Sequence, residues 1–281
     1  WITQNPPVSG SGWEPYPLSL RIINWIKWAQ EKGNTLSSDA KASLAIQTRY
    51  LSRRLEWHLL GNHLFVNAKA LIFAGLFFEG AEADQWIDTG FSIIQSQMPE
   101  QILADGGQFE LSPMYHALAL EDLLDLMNIV RRFDSALSRQ TVAIARNWET
   151  IIPPMIAWLQ AMSHPDGEIA FFNDAAFGVA PDTQELIAYA QRLGVKVPSP
   201  PGAGLYALSD SGYLRMVNHK AVVIVDMASI GPDYLPGHAH ADTLSFELSL
   251  GCKRVVVNGG TSVYGTDTER QRQRGTQAHS T

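Results

Sequence analysis

Val197-Pro198-Ser199-Pro200-Pro201-Gly202 is the stretch on which the reading of the fold turns. Proline fixes φ and removes a backbone donor, so this segment sustains neither a helix nor a central strand and reads as a linker. Before it, apolar residues recur at helical spacing. After it, they alternate.

Working back from the linker, Leu18, Ile22, Trp25, Ile26 and Trp28 fall near a three-to-four spacing. Ser37-Ser38-Asp39 can cap the next run, which continues through Leu44, Ile46, Tyr50, Leu51, Leu55 and Leu59. Further helices are expected over residues 63–78, 82–97, 113–133 and 138–162, with a short one over 183–193. The loops between them are short, so helical hairpins closing into a bundle, solenoid or toroid are expected. Residues 163–177 read as a long structured loop with turn chemistry at His164-Pro165-Asp166-Gly167.

Working forward, residues 212–218 and 221–226 read as a hairpin joined near Asn218-His219-Lys220. In Leu244-Ser245-Phe246-Glu247-Leu248 large apolar residues alternate with polar ones, so one strand face is expected to be buried. Val255-Val256-Val257 reads as a short buried strand. Helices followed by strands, rather than interleaved with them, predict an α+β chain. The expected division is a helical domain at 1–196, a linker at 197–203 and an antiparallel β domain at 204–281. So small a β domain leaves open edges, and we expect the natural protein to continue beyond Thr281.

The chain has 281 residues, 46% of them hydrophobic, which is ample for a core, and a formal net charge of −7. That balance argues against an extended nucleic-acid surface. It does not exclude an anionic sugar, because a cleft can be locally basic; Arg53, Arg54, Lys69, Arg270, Arg272 and Arg274 are candidates to line one. Cys252 is the only cysteine, so no intrachain disulfide forms, and cytoplasm and periplasm both stay open on that ground. No apolar run is long enough to span a bilayer, and the segment is not expected to be an integral membrane protein. The chain starts at Trp1, and we expect a natural amino terminus ahead of it and a periplasmic or secreted location.

Four separated segments carry the chemistry: Gly61-Asn62-His63, Ser112-Pro113-Met114-Tyr115-His116, Gly237-His238-Ala239-His240-Ala241-Asp242, and Arg274-Gly275-Thr276-Gln277-Ala278-His279. They supply an amide, a phenol and several imidazoles, a set that can neutralise a carboxylate, remove a carbon-bound proton and protonate a leaving oxygen. Each has a plainer reading. Asn62 at a helix start can be a cap, His63 a structural histidine and Tyr115 a packing residue behind a Ser112-Pro113 helix start. His238 and His240, two apart, project to one face if extended, as a metal site or one catalytic and one metal-bound imidazole requires. Trp13, Tyr16, Trp25, Trp28 and Trp57 either stack on sugars or pack in the core, and helical spacing favours packing for most.

In combination these words resemble the heparinase II/III family of polysaccharide lyases. The resemblance is carried by Trp13-Glu14-Pro15-Tyr16-Pro17, by Glu56-Trp57-His58-Leu59-Leu60-Gly61-Asn62-His63, and by Asp105-Gly106-Gly107 leading into Glu110-Leu111-Ser112-Pro113-Met114-Tyr115-His116. Gly237–Asp242 and Arg274–Thr281 complete it. It implies an incomplete (α/α) toroid followed by an antiparallel β-sandwich that is only partly present here, and β-elimination on a uronic-acid-containing anionic polysaccharide. By motif, Asn62 is the carboxylate-neutralising position, Tyr115 the catalytic tyrosine and His238 the catalytic or stabilising histidine. His63, His116, Arg270 and Arg274 are taken as substrate-binding. His240 and His279 match metal-binding histidines, with Asn258 where the family usually has Asp, and the metal is expected to be structural, zinc the best match. No organic cofactor is implied. A metal-dependent glycan hydrolase and a non-catalytic glycan-binding or surface-polysaccharide assembly protein are the alternatives.

Overall fold

The computed structural model describes residues 1–33 and 35–281. Its helices are α1 (Pro15–Glu31), α2 (Ser38–Ser52), α3 (Gly61–Phe77), α4 (Ala81–Gln101), α5 (Pro113–Arg132), α6 (Arg139–Ala161), α7 (Thr183–Arg192) and, after the strands, α8 (Thr268–Arg274). The strands are β1 (Gly204–Leu208), β2 (Tyr213–Val217), β3 (Ala221–Asp226), β4 (Phe246–Leu250) and β5 (Lys253–Val256). Helices followed by an antiparallel sheet are the α+β order that the change of period predicts.

The compact units do not divide at the linker. One comprises Trp1–Met98 with Leu126–Ile144, and the other Pro99–Asp125 with Ala145–Thr281. The physical reason lies in the second unit's core, where Trp158 and Met162, at and just past the end of α6, pack with Tyr213, Val222 and Ile224 of the sheet. A helix that shares a core with strands belongs to their unit, whatever the linker between them in sequence.

In the first unit, Leu18, Ile22, Leu44, Leu51, Leu64 and Leu71 are fully buried. Ser37 caps α2 through its Oγ, which accepts from the Ala40 amide at 3.2 Å. α3 is buried on almost every side, as its run of apolar residues dictates. It lies close to α4: a Cβ on Gly75 would stand 2.5 Å from Ile87 Cγ1 and 2.7 Å from the Ala83 carbonyl oxygen, so only glycine fits. Trp13 is a core residue, whereas Trp28 and Trp57 are about half exposed and do not pack inside.

In the second unit the sheet runs β1-β2-β3-β4-β5, each neighbour antiparallel. The β2–β3 hairpin forms where expected, with Asn218 Oδ1 accepting from the Lys220 and Ala221 amides at 2.8 Å. β4 buries one face, as the alternation predicts, and that face is the polar one. Ser245, Glu247 and Ser249 are buried, while Leu244 is 66% and Leu250 51% exposed. The polar face is inside because partners await it. His164 donates from Nε2 to Glu247 (2.8 Å), its Nδ1 meets Ser249 Oγ (2.7 Å), and Glu247 Oε1 accepts from the Phe171 and Asn258 amides. A buried carboxylate satisfied on both oxygens is tolerable; an alternation pattern alone does not reveal which face finds partners. Val255 and Val257 are likewise about half exposed rather than buried.

Candidate functional site

The loop before α5 builds the first part of the site. Gly106 (φ 90°) turns against α6 so tightly that a Cβ would meet the Pro154 carbonyl at 2.4 Å. Gln108 then clamps Glu110: its Nε2 donates to Glu110 Oε1 (3.1 Å) and its Oε1 accepts the Glu110 amide (3.0 Å). Leu111 follows in the left-handed region (φ 61°), its carbonyl held by the Tyr213 hydroxyl at 2.6 Å. Ser112 caps α5 by accepting from the Tyr115 amide, with Pro113 in the first turn as expected. Tyr115 is thereby fixed in the first turn of a rigid helix, its ring buried and its hydroxyl 3.1 Å from that of Tyr264.

His238 closes a 3₁₀ turn, Pro236–His238. Its Nδ1 is in short contact with Glu110 Oε2, and its ring lies flat on Tyr115, centroids 3.7 Å apart and planes at 14°. An Nδ1–H donated to a carboxylate leaves Nε2 as the basic nitrogen. The turn itself is gripped by α8: Arg274 donates to the Ala239 (2.8 Å) and Pro236 (2.8 Å) carbonyls, and Arg270 to that of Gly237 (3.0 Å).

Those bonds correct the substrate-binding role expected of Arg270. Arg270 is 3% exposed and forms a bidentate pair with the buried Asp174. Its guanidinium holds the scaffold rather than a ligand, whereas Arg274 is partly exposed and braces the turn through Nε and Nη2 alone. His116 needs the same correction. It is fully buried, its Nδ1 accepts from the Gln108 amide (3.2 Å) and its Nε2 donates to the Met155 carbonyl (2.9 Å), so neither nitrogen can reach a substrate. Burial lowers it to about 4, keeping it neutral.

His238 and His240 do not share a face, because the segment is a turn and not a strand. His240 points instead to Asp174 and Thr261. Its Nε2 donates to Asp174 Oδ1 at 2.7 Å, leaving Nδ1 as a buried lone pair without a partner. Burial pushes the Asp174 carboxyl up, but hydrogen bonds from His240, Arg270 and Thr261 outweigh it and hold it at about 2. Both ring nitrogens of His279 are also buried and unpartnered. Among the described residues, His240, Asp242 and His279 bring ligand atoms within 4.8 Å of one another. Beside them, burial and the Asp242 charge raise Asp226 to about 7. Orphaned imidazole nitrogens, a carboxylate and an orienting Asp174 fit a divalent cation. Beside that set, Asn258 Oδ1 accepts from the Ser280 amide and hydroxyl at 3.1 Å, and its Nδ2 meets Ser245 Oγ.

In the first unit, Asn62 sits in the first turn of α3, but the cap position is Leu60 (φ 54°), so the amide is not spent as an N-cap. His63 is part exposed, with Nδ1 3.0 Å from Glu56 Oε1 and its ring against Tyr16. Glu56 is fixed in turn by Asn67 Nδ2 at 2.9 Å.

Glu110, Tyr264 and Asp174 have no assigned role in the sequence reading. One backbone signal accompanies them. Of the non-glycine residues at positive φ, Leu60, Leu111, Asn173 and Leu244 each lie within two residues of Asn62, Ser112, Asp174 or Asp242. Such strain persists where surrounding structure over-determines it, as at functional sites.

Family models match almost the whole chain, "Heparinase II/III N-terminus" over residues 34–191 and "Heparinase II/III-like, C-terminal" over 200–281. The chain belongs to the heparinase II/III family. Among proteins of this family it is similar to a heparin-sulfate lyase of Pedobacter heparinus, 28% identical over 242 residues that cover 79% of this chain and 35% of that protein. A second heparin-sulfate lyase, from Bacteroides stercoris, is 27% identical over 76% of this chain and 33% of its own length. Among solved structures, heparinase III superposes with a TM-score of 0.80 at 20% identity, over 99% of this chain and 49% of that one. Heparan sulfate lyase HepC from Pedobacter heparinus gives 0.65 at 23%, over 100% and 47%. The fold is therefore that of heparinase III, an incomplete (α/α) toroid followed by part of a β-sandwich. The chain spans about a third of the length of these heparin-sulfate lyases and about half of the solved chains.

Proposed function

We propose that this heparinase II/III chain is the catalytic part of a polysaccharide lyase that cleaves a uronic-acid-containing anionic glycan by β-elimination. The observation that carries the reading is the stack of Tyr115 on His238 with Glu110 behind the imidazole. It sets a basic nitrogen beside a phenol, and elimination needs a base and an acid close together.

In the proposed step the Nε2 of His238 removes the proton at C5 of the uronate. The C–H electron pair becomes the C4–C5 double bond, the C4–O4 bond breaks, and the Tyr115 hydroxyl protonates O4. Tyr264, at 3.1 Å from that hydroxyl, is placed to return a proton to it. Glu110 stabilises the imidazolium as it forms. Asn62 is proposed to bind the substrate carboxylate and stabilise the enolate; this role, and that of His63 as a substrate contact, rests on their motif.

His240, Asp242 and His279 would hold a divalent cation, with zinc best matched to two imidazoles and a carboxylate, and its chemistry there would be to crosslink the segments that carry them. Among the described residues no helix is long and apolar enough to cross a membrane. A panel of uronate polysaccharides, read by the ultraviolet absorbance of an unsaturated uronate product, tests the reading. Hydrolysis would add water and give no such chromophore; binding without turnover would mark an assembly or carrier role.

A further inference from the structure

A cavity of about 760 Å³ lies in the second unit, lined by α7, the proline-rich linker and the β2–β3 turn, and shares no residue with the site above. Its volume is that of a small-molecule site. Among the described residues no aspartate or glutamate lines it, although the chain carries 28 acidic residues against 21 lysines and arginines. Arg215 stands in its wall, and Lys220 and His219 are exposed on the turn beside it.

Arg215 is the key group. It is 6% exposed, and Nη1 donates to the Ala161 (2.8 Å) and Ser163 (2.7 Å) carbonyls at the end of α6. That contact stabilises the helix end but supplies no counter-charge. Its Nε has no partner, and no described carboxylate forms an ion pair with it. Along the sheet Arg215 pairs with Ile224 and Ile224 with Glu247, so that carboxylate is two strands away, about 10 Å, and is already bonded to His164. A guanidinium buried without an anion is costly unless an anion joins it. Burial lowers it only to about 10, so it keeps its charge at neutral pH. Gln160 Nε2 donates to the Pro198 carbonyl and ties the linker to α6. Pro198, Pro200 and Pro201 provide rigid apolar wall.

We propose that this cavity is a separate binding site for an acidic sugar. The carboxylate lies toward Arg215 and Lys220, and the ring's apolar face packs on the prolines. The site uses none of the residues proposed for elimination, so it stands or falls apart from the lyase reading.

Cys252 lines the same cavity, is exposed, and is the chain's only cysteine, so its alkylation rate reports on this place alone. Iodoacetamide modification is followed while sodium glucuronate, glucose or sodium sulfate is titrated at constant ionic strength. Saturable protection by glucuronate, several-fold stronger than by glucose or sulfate, is expected. Lys220→Ala should raise the half-protecting concentration about fivefold, the scale of one partly exposed charge contact. The substitution leaves the Arg215 bonds to α6 in place. Protection should persist in His238→Ala. No protection, equal protection by sulfate, insensitivity to Lys220→Ala, or loss of protection in His238→Ala would each overturn the proposal.

Discussion

The imidazole of His238 lies parallel to the phenol of Tyr115 at a centroid separation of 3.7 Å, with the carboxylate of Glu110 at its Nδ1. The two rings come from opposite ends of the chain's chemistry, one from the first turn of α5 and one from a 3₁₀ turn held by two arginines. Neither ring can drift without breaking a cap or a clamp. That is the preorganisation a proton-transfer pair needs.

Glu110→Gln keeps the shape of the side chain and removes its charge. If Glu110 orients His238 and stabilises its protonated form, turnover should fall by about a hundredfold or more, while glycan affinity changes little. Glu110→Asp, which restores the charge, should recover part of the rate. Equal activity in Glu110→Gln and wild type would show that the carboxylate is only structural.

Asn62→Ala should slow turnover about a hundredfold, the scale of losing one donor to a developing oxyanion. Since Leu60 and not Asn62 holds the cap position of α3, thermal stability should change little. A large loss of Tm with unchanged specific activity would return Asn62 to a helix-start role.

Elemental analysis of the purified protein should find about one zinc or similar cation per chain, and chelation should lower Tm. His240→Ala and His279→Ala should abolish binding, and Asn258→Ala should not. Metal retained in the histidine variants would remove the site.

Two buried groups give opposite pH dependences. Asp226 is raised from 3.8 to about 7, so its folded form prefers the neutral acid. Its contribution is fully present below pH 3.8 and is lost as pH rises through 7. His116 is lowered from 6.5 to about 4, so the unfolded chain takes the proton first, and stability is lost as pH falls from 6.5 to 4. After chelation, Asp226→Asn should therefore be more stable than wild type at pH 8, by up to about 4 kcal/mol, with the gain gone by pH 4. In that variant the His116 loss should emerge as a fall in Tm below pH 6.5. Chemical denaturation across this range checks both; an Asp226→Asn gain independent of pH would contradict the first.

The helix-to-strand order was legible because periodicity and proline are local signals. Ser37 at α2 and Ser112-Pro113 at α5 have one physical reading each, and both hold. What failed depended on tertiary partners. Alternation in β4 shows that two faces differ but not that His164 and Asn258 wait on the polar side. His238-Ala239-His240 reads as same-face only if extended, and a proline-led turn sends the rings to different neighbours. Arg270 and His116 look like ligand contacts in a motif, yet their partners are Asp174 and a backbone carbonyl far off in sequence. Glu110 stood within a quoted motif, but only the fold brings it to an imidazole 128 positions later.

The most direct measurement is the rate of unsaturated uronate formation by wild type and Tyr115→Phe on a polysaccharide that the wild type cleaves. The phenyl ring keeps the stack on His238, so the fold and glycan affinity should persist. Wild type should give an ultraviolet-absorbing product, and Tyr115→Phe should form it more slowly by about a hundredfold or more. Full turnover in a folded Tyr115→Phe protein, or cleavage by wild type without the unsaturated product, would contradict the proposed elimination.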